Sequence, residues 1–361
     1  MNQTSARRLR RAVFTALFLV AFFCAAQAAL DHRLAARVSR TDFRFLVHDM
    51  TGYPELKRHL CETPGHKVLF VGDSILQGAA MTGGARTIAY GYYEGLPPAE
   101  RSAIRVVNGG LAGASLEENR LLANDLAAAD FETVLLILNY RALARGGVSA
   151  LYAKWLSATP PTRGSAFARA TGAIDDLLRR RVSLYRNRQL LLGSLWGAPP
   201  DRGLSRFYYV AALVGWRDAV AREFQIGPPR LWSGSQWNAQ TVQALRSSFA
   251  IPMLDRKHRS LRSLAALATE VKLRGSRFVV VAPPFNNEMA RRYDLIDTSV
   301  QAHNLNLVRE IVTARGGGFV DARTWQPENV FADSVHMIGA GNLAFGRQLA
   351  AWHAGVKEAT P

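Results

Sequence analysis

The sequence predicts a doubly wound α/β fold, and three observations carry that prediction. Short apolar runs recur at Lys67–Val71, Ile104–Val107, Thr133–Leu138, Arg277–Ala282 and Phe319–Val320. Each run ends in small or polar residues, and helical patterns lie between most of them. Strands that are apolar throughout are those buried on both faces of a parallel sheet, and intervening helices supply the crossovers that cover those faces. About five strands follow, with helices on both sides. Ligands of such sheets bind beyond the carboxyl ends of the strands, which is where Ser74, Asn108, Asn139, Pro283 and Pro284 fall.

The chain opens with a basic leader, residues 1–11, carrying Arg7, Arg8, Arg10 and Arg11. Residues 12–30 follow as an apolar stretch of 19, broken only by Thr15 and Gln27. That length just spans a bilayer. Arginines stay on the cytoplasmic side, so the rest of the chain is expected outside the cytoplasm, at the inner membrane and facing the periplasm in a Gram-negative cell. Two readings stay open. The length favours an uncleaved transmembrane anchor, whereas Ala26-Gln27-Ala28 has the small-x-small pattern of a signal peptidase site, which would leave the protein periplasmic or secreted. Phe22 and Phe23 are too bulky before Cys24 for a lipid-modification site.

Residues 31–64 alternate charged and apolar positions at near-helical spacing and read as a membrane-proximal helical segment that Pro64 and Gly65 end. Residues 65–361 then form the main domain. Between the strand ending near Asn139 and the one starting near Arg277 lie about 135 residues, several times a normal crossover. A mostly helical insertion over about 146–268 accounts for them, broken by proline pairs and carrying Trp155, Trp196, Trp216, Trp232 and Trp237. Indole faces suit sugar rings or lipid headgroups, but tryptophans at helical spacing are more often core.

A chain of 361 residues with 48% hydrophobic composition can bury one large core. Its two cysteines, Cys24 and Cys61, cannot make a disulfide framework, and Cys61 reads as a packing residue. The formal charge of +17 invites a nucleic-acid reading. Four of those charges belong to the leader, and the remaining arginines are scattered without an aromatic-basic recognition motif, so nucleic acid is not expected as a partner. A basic surface facing anionic lipid or an acidic polymer fits better, beside the plainer reading of a solvated arginine-rich surface.

Two short stretches carry chemistry. At Val71-Gly72-Asp73-Ser74-Ile75 a serine sits between a buried strand and a helix, where its hydroxyl is exposed. Alone, this serine could equally cap the helix. Near the C-terminus comes Asp333-Ser334-Val335-His336. An aspartate three residues before a histidine lets one loop present both side chains, the carboxylate fixing the imidazole while its other nitrogen takes a serine proton.

With these stretches the sequence resembles the SGNH (GDSL-like) hydrolase superfamily. Its motif blocks occur in order over residues 67–350: the Gly-Asp-Ser turn, Asn108-Gly109-Gly110-Leu111-Ala112-Gly113, Leu138-Asn139-Tyr140 and the Asp-x-x-His loop. The resemblance implies a flavodoxin-like doubly wound sheet, a catalytic triad of Ser74, Asp333 and His336, and Asp73 as a supporting residue of the turn. It also implies an oxyanion hole from the backbone N–H groups of Ser74 and Gly113 and the side-chain amide of Asn139. The usual third block is Gly-x-Asn-Asp, whereas Ile137 and Tyr140 occupy its first and last places here. No metal or organic cofactor is implied.

An exported, anchored domain of this kind is similar in layout to accessory proteins that O-acylate cell-surface polymers alongside an integral membrane O-acyltransferase. The expected activity is therefore acyl-ester hydrolysis or acyl transfer, with O-acetyl groups of an exported polysaccharide or cell-envelope glycan as leading substrate. A secreted carboxylesterase or lipase acting on small or lipid esters is the alternative. A non-catalytic assembly or carbohydrate-binding scaffold is the opposing class.

Overall fold

The apolar runs fold as the continuous burial of their side chains requires. A computed structural model of the chain describes residues 13–15, 17–29, 53–77, 87–149, 152, 156, 178, 182, 231–234 and 237–358. The chain divides into two compact units. One comprises Met1–Arg40, Pro54–His59 and Thr159–Val220, and the other Thr41–Tyr53, Leu60–Ala158 and Ala221–Pro361.

In the first unit, residues 13–15 and 17–29 are helical, and Phe14, Leu17, Phe18, Phe22 and Phe23 are exposed. Among the described residues no helix is long and apolar enough to cross a membrane; residues 12, 16 and 30 of the span expected over 12–30 lie outside them. The leader 1–11 and all of 31–52 lie outside the described residues, and α1 (Tyr53–Glu62) is a helix within the segment expected to be helical before Pro64. Cys61, read from sequence as a packing residue, is exposed near the end of α1.

The second unit is built on five parallel strands: β1 (His66–Gly72), β2 (Ile104–Gly110), β3 (Thr133–Ile137), β4 (Arg277–Ala282) and β5 (Gly318–Asp321). Their order is β2-β1-β3-β4-β5. This is the flavodoxin-like doubly wound order, with its switch point between β1 and β3. Val68, Leu69, Phe70 and Val71 of β1 are all fully buried. Each such side chain stabilises the fold by about 1.5–3 kcal/mol over exposure, which is why β1 shows no polar alternation.

Successive β1 side chains face opposite layers. Phe70 meets Tyr92 edge to face at 5.1 Å, whereas Leu69 points to the side where Leu122 lies. The chain leaves β1 through α2 (Ser74–Gln77), then α3 (Ile88–Gly95) and α4 (Pro98–Ala103) precede β2, and α5 (Leu116–Asp125) leads to β3. Before β4 come α6 (Ala239–Phe249) and α7 (Arg259–Leu273), then α8 (Asn287–Arg292) and α9 (Thr298–Thr313) precede β5, and α10 (Gly339–Glu358) closes the chain.

Helix α10 packs on α3 so closely that a Cβ at Gly91 would stand 2.6 Å from the Leu343 carbonyl oxygen. On the other face α7 packs against α5, α9 and β4 as the crossover helix entering β4. Residues 259–268, read as part of the insertion, thus belong to the layer covering the sheet. Most of residues 150–230 lie outside the described residues, Trp155, Trp196 and Trp216 among them. Trp232 is core: it is buried, and its indole N–H donates to the Glu328 carbonyl at 3.0 Å.

Candidate active site

Parallel pairing of β1 with both β2 and β3 brings Gly72 opposite Gly110 and Ile137. The residues that follow these strands therefore gather above the switch point. Ser74 opens α2 immediately after β1, and its side chain is partly exposed. Its Oγ lies 2.9 Å from His336 Nε2. The serine expected from sequence either as nucleophile or as plain helix cap thus has the His336 imidazole beside it.

His336 is held by its own loop. Its Nδ1 lies 2.6 Å from Asp333 Oδ2, while Asp333 Oδ1 accepts the backbone N–H groups of Val335 at 2.7 Å and His336 at 2.8 Å. A carboxylate only accepts, so Nδ1 carries the proton and Nε2 is left to receive one from Ser74. Burial pushes the Asp333 carboxyl upward, but the hydrogen bond and charge of His336, with the two N–H donors, hold it below its ordinary value.

The loop is fixed from behind by Asn286, which is fully buried. Its N–H donates to the Ser334 carbonyl at 3.0 Å, its side-chain amide to the Asp333 carbonyl at 3.3 Å, and its Oδ1 accepts from Met289 to cap α8. Asn286 carries no motif that sequence reading recognises; only its position after Pro283 and Pro284, at the end of β4, hinted at the site.

The depressed Asp333 carboxyl has a stability consequence. Asp321 is also held low, chiefly by its paired hydrogen bonds to Arg323 at 2.7 and 2.8 Å. For both groups the unfolded chain binds a proton at a pH where the folded one does not. Their stabilisation is therefore complete above the ordinary aspartate value of about 3.9 and is lost as pH falls through and below it. Urea midpoints are expected to be level between pH 5 and 6 as far as these groups are concerned, and to fall steadily below about pH 4. A midpoint unchanged down to pH 3 would refute the assignment.

The remaining expected residues cluster around Ser74. Asp73 is buried, its Oδ1 accepting the Ile75 N–H at 3.1 Å and its Oδ2 the Asn139 amide at 2.6 Å. Asn139 Oδ1 in turn accepts the Arg141 N–H at 3.1 Å, capping a short 3-10 turn, Tyr140–Leu143. Asn139 therefore does the capping work of a strand-end asparagine, and one of its two amide hydrogens is engaged by Asp73 while the second has no acceptor among the described residues. Asn108 is structural: it ties the Leu76 carbonyl to β2 at 3.0 Å and accepts the Gly110 N–H.

Gly113 has φ +69, a left-handed conformation that glycine adopts without strain. The N–H groups of Ser74 and Gly113 engage no protein acceptor among the described residues. The turn around Gly113 is braced by Tyr152, whose hydroxyl donates to the Ala112 carbonyl at 2.8 Å and is pushed up to about 12 by burial and by nearby Glu118. Glu118 closes a capping box with Ser115 and also accepts the Ser149 N–H at 2.7 Å, tying the Gly113 turn to the loop after Tyr140.

Tyr140, which departs from the usual third block, is buried and receives a hydrogen bond from Asn304 at 2.9 Å. The substitution thus serves packing against α9. Sequence reading missed Asn286 and Tyr152. Among the described residues no group of three or more His, Cys, Asp or Glu side chains is placed to hold a metal ion.

No protein-family model and no curated protein matches the chain. Solved structures do resemble it. An acetyl xylan esterase superposes with a TM-score of 0.38 at 12% identity, covering 80% of this chain and 98% of its own. A catalytic mutant of an acetylxylan esterase from Geobacillus stearothermophilus gives 0.39 at 15% identity, with 80% and 94% covered. A carbohydrate acetylesterase family member from Sinorhizobium meliloti gives 0.32 at 15% identity, with 80% and 97% covered. Likeness this remote does not assign an activity, so the chemistry is read from this chain's own residues.

Proposed function

We propose that the protein is a serine-dependent acyl-ester hydrolase or acyltransferase of the SGNH kind. The observation that carries this reading is the continuous hydrogen-bonded line from Ser74 Oγ through His336 to Asp333. Such a line suits acyl transfer. Ser74 Oγ attacks the ester carbonyl as His336 Nε2 takes its proton, and the imidazolium is balanced by Asp333. The tetrahedral oxyanion is received by the Ser74 and Gly113 N–H groups and the remaining Asn139 amide hydrogen, donors typically worth about 2.7–4 kcal/mol each when removed. Collapse expels the alcohol, protonated by His336, and leaves an acyl-Ser74 ester. Water or an acceptor hydroxyl then attacks with His336 again as base, and Ser74 is regenerated.

The substrate class in this reading is a small acyl ester, O-acetyl groups of an exported polysaccharide or envelope glycan first among them. Its support is the arginine cluster before the apolar stretch 12–30, which would hold the domain at a membrane and outside the cytoplasm, within reach of an integral membrane O-acyltransferase. Incubation of the full chain with a fluorophosphonate probe tests the nucleophile. Stoichiometric labelling at Ser74, with release of p-nitrophenol from its acetate ester, is the expected result. A folded protein that neither labels nor hydrolyses would replace this reading with a binding scaffold.

A further inference from the structure

Two arginines on the loop that follows Asn139 have no acidic partner among the described residues. Arg141 and Arg145 lie four residues apart on the short turn and loop that Asn139 starts. That loop is rigidly held: the Ser260 hydroxyl bonds to the carbonyls of Leu143 at 2.8 Å and Arg145 at 3.1 Å, and Glu118 takes the Ser149 N–H.

The Arg145 guanidinium lies over the Gly113 turn, its Nη1 just 3.0 Å from where a Cβ on Gly113 would stand. Arg141 packs its guanidinium on the Phe249 ring at 5.4 Å. Arg141 Nε and Arg145 Nη1 are both buried and have no hydrogen-bond partner, and neither side chain forms an ion pair among the described residues. Elsewhere in the unit, Arg120, Arg256, Arg323 and Arg347 each meet a carboxylate at 2.6–2.9 Å.

Buried guanidinium N–H groups without an acceptor are costly, and two cations side by side add repulsion. Burial draws the Arg141 pKa down; Asp73 and Asp333 oppose that, and Arg145 adds to it. Those two carboxylates do not relieve the cations directly. Asp73 is bonded to Asn139 and Ile75, and Asp333 to His336 and Val335. The other guanidinium nitrogens of these half-buried side chains are not closed off in this way, and an oxyanion reaching them would balance the two charges; a planar guanidinium presents the fork that carboxylates and phosphates fit.

We propose that Arg141 and Arg145 form an anion subsite beside Ser74, so that the acylated substrate carries a carboxylate or phosphate group close to its ester. This rests on the reading of Ser74 as nucleophile and narrows the substrate class from esters in general to esters of acidic sugars or sugar phosphates.

The test has a catalytic and a binding arm, both with the full chain. In the first, kcat/KM is compared for mono-O-acetylated methyl glucuronoside, methyl glucoside and methyl glucoside 6-phosphate. In the second, calorimetry measures binding of the three deacetylated glycosides to the Ser74→Ala chain, which needs no catalysis. At least about tenfold preference for one or both anionic sugars over the neutral one is expected in each arm. The preference falls towards unity in Arg141→Met and Arg145→Met, and Arg145→Lys keeps part of it; circular dichroism establishes that each variant is folded.

The ratio between carboxylate and phosphate arms identifies the group. Equal binding of charged and neutral sugars overturns the proposal, as does a preference that survives both methionine variants. Equal loss of neutral and anionic ester turnover in those variants, with no change in the ratio, also overturns it and moves the arginines to the transition-state oxyanion. Anion-selective binding lost in the variants, in a chain that hydrolyses none of the esters, leaves the subsite standing and removes Ser74 as nucleophile.

Discussion

Ser74→Ala is expected to reduce hydrolysis of p-nitrophenyl acetate by about 10⁴-fold or more while leaving the fold intact. The expectation follows from the geometry at one atom. Ser74 Oγ is the group that His336 Nε2 faces at 2.9 Å, and no other hydroxyl is bonded to that nitrogen among the described residues. The loss should appear in kcat, because the hydroxyl acts on the bond being made. Its removal leaves Asp73, Asn139 and the His336 loop bonded as before, so the denaturation midpoint should change little. His336→Ala is expected to match Ser74→Ala, and the double variant to be no worse than either, since the two act as one unit. Residual activity within tenfold of the intact protein would show that another nucleophile or a preassociated water does the work.

Asp333→Asn is the second large effect, about 10⁴-fold in kcat, and it arises through the tautomer. Oδ1 of Asp333 is committed to two backbone N–H donors, so an asparagine there keeps its carbonyl oxygen on that side and turns its NH₂ towards His336 Nδ1. Two donors cannot face one another, so Nδ1 must become the acceptor and the proton moves to Nε2, where it blocks transfer from Ser74. The variant should fold, with part of the acid-side stability loss removed along with the carboxylate. Stopped-flow kinetics across pH, with urea midpoints measured in parallel, checks both statements. A fall of less than about tenfold in kcat would mean that Asp333 serves the loop rather than the imidazole.

Much of this was legible in the sequence for a physical reason. A strand buried on both faces must be apolar at every position, so β1, β3 and β4 announce themselves as runs, and their observed limits lie within one or two residues of those runs. Strand β2 runs further than its apolar core, through Asn108, Gly109 and Gly110, because backbone pairing with β1 continues where side-chain hydrophobicity stops. The Asp333 and His336 pair was legible because three residues of one loop suffice to bring the two side chains together.

Contacts that depend on how distant segments meet were not legible. Asn139 reads as a donor to substrate, but its amide is shared with Asp73, 66 residues away, and its oxygen with Arg141. Tyr152 and Asn286 look like ordinary residues until the fold sets one under the Ala112 carbonyl and the other behind the histidine loop. Arg141 and Arg145 are two among many arginines in a basic chain. Only tertiary packing decides that, among the described residues, they lack the acids that Arg120, Arg256, Arg323 and Arg347 find.

By itself, then, the sequence determined the class of sheet, the serine turn after its first strand and the local pairing of Asp333 with His336, because periodicity and short loops are encoded by neighbours in the chain. The tertiary structure decided that Ser74 meets His336 across 262 residues, that the Gly113 turn is braced by Tyr152, and that among the described residues Arg141 and Arg145 find no acid. Those outcomes depend on strand order and helix packing, which bring together groups that no local pattern relates.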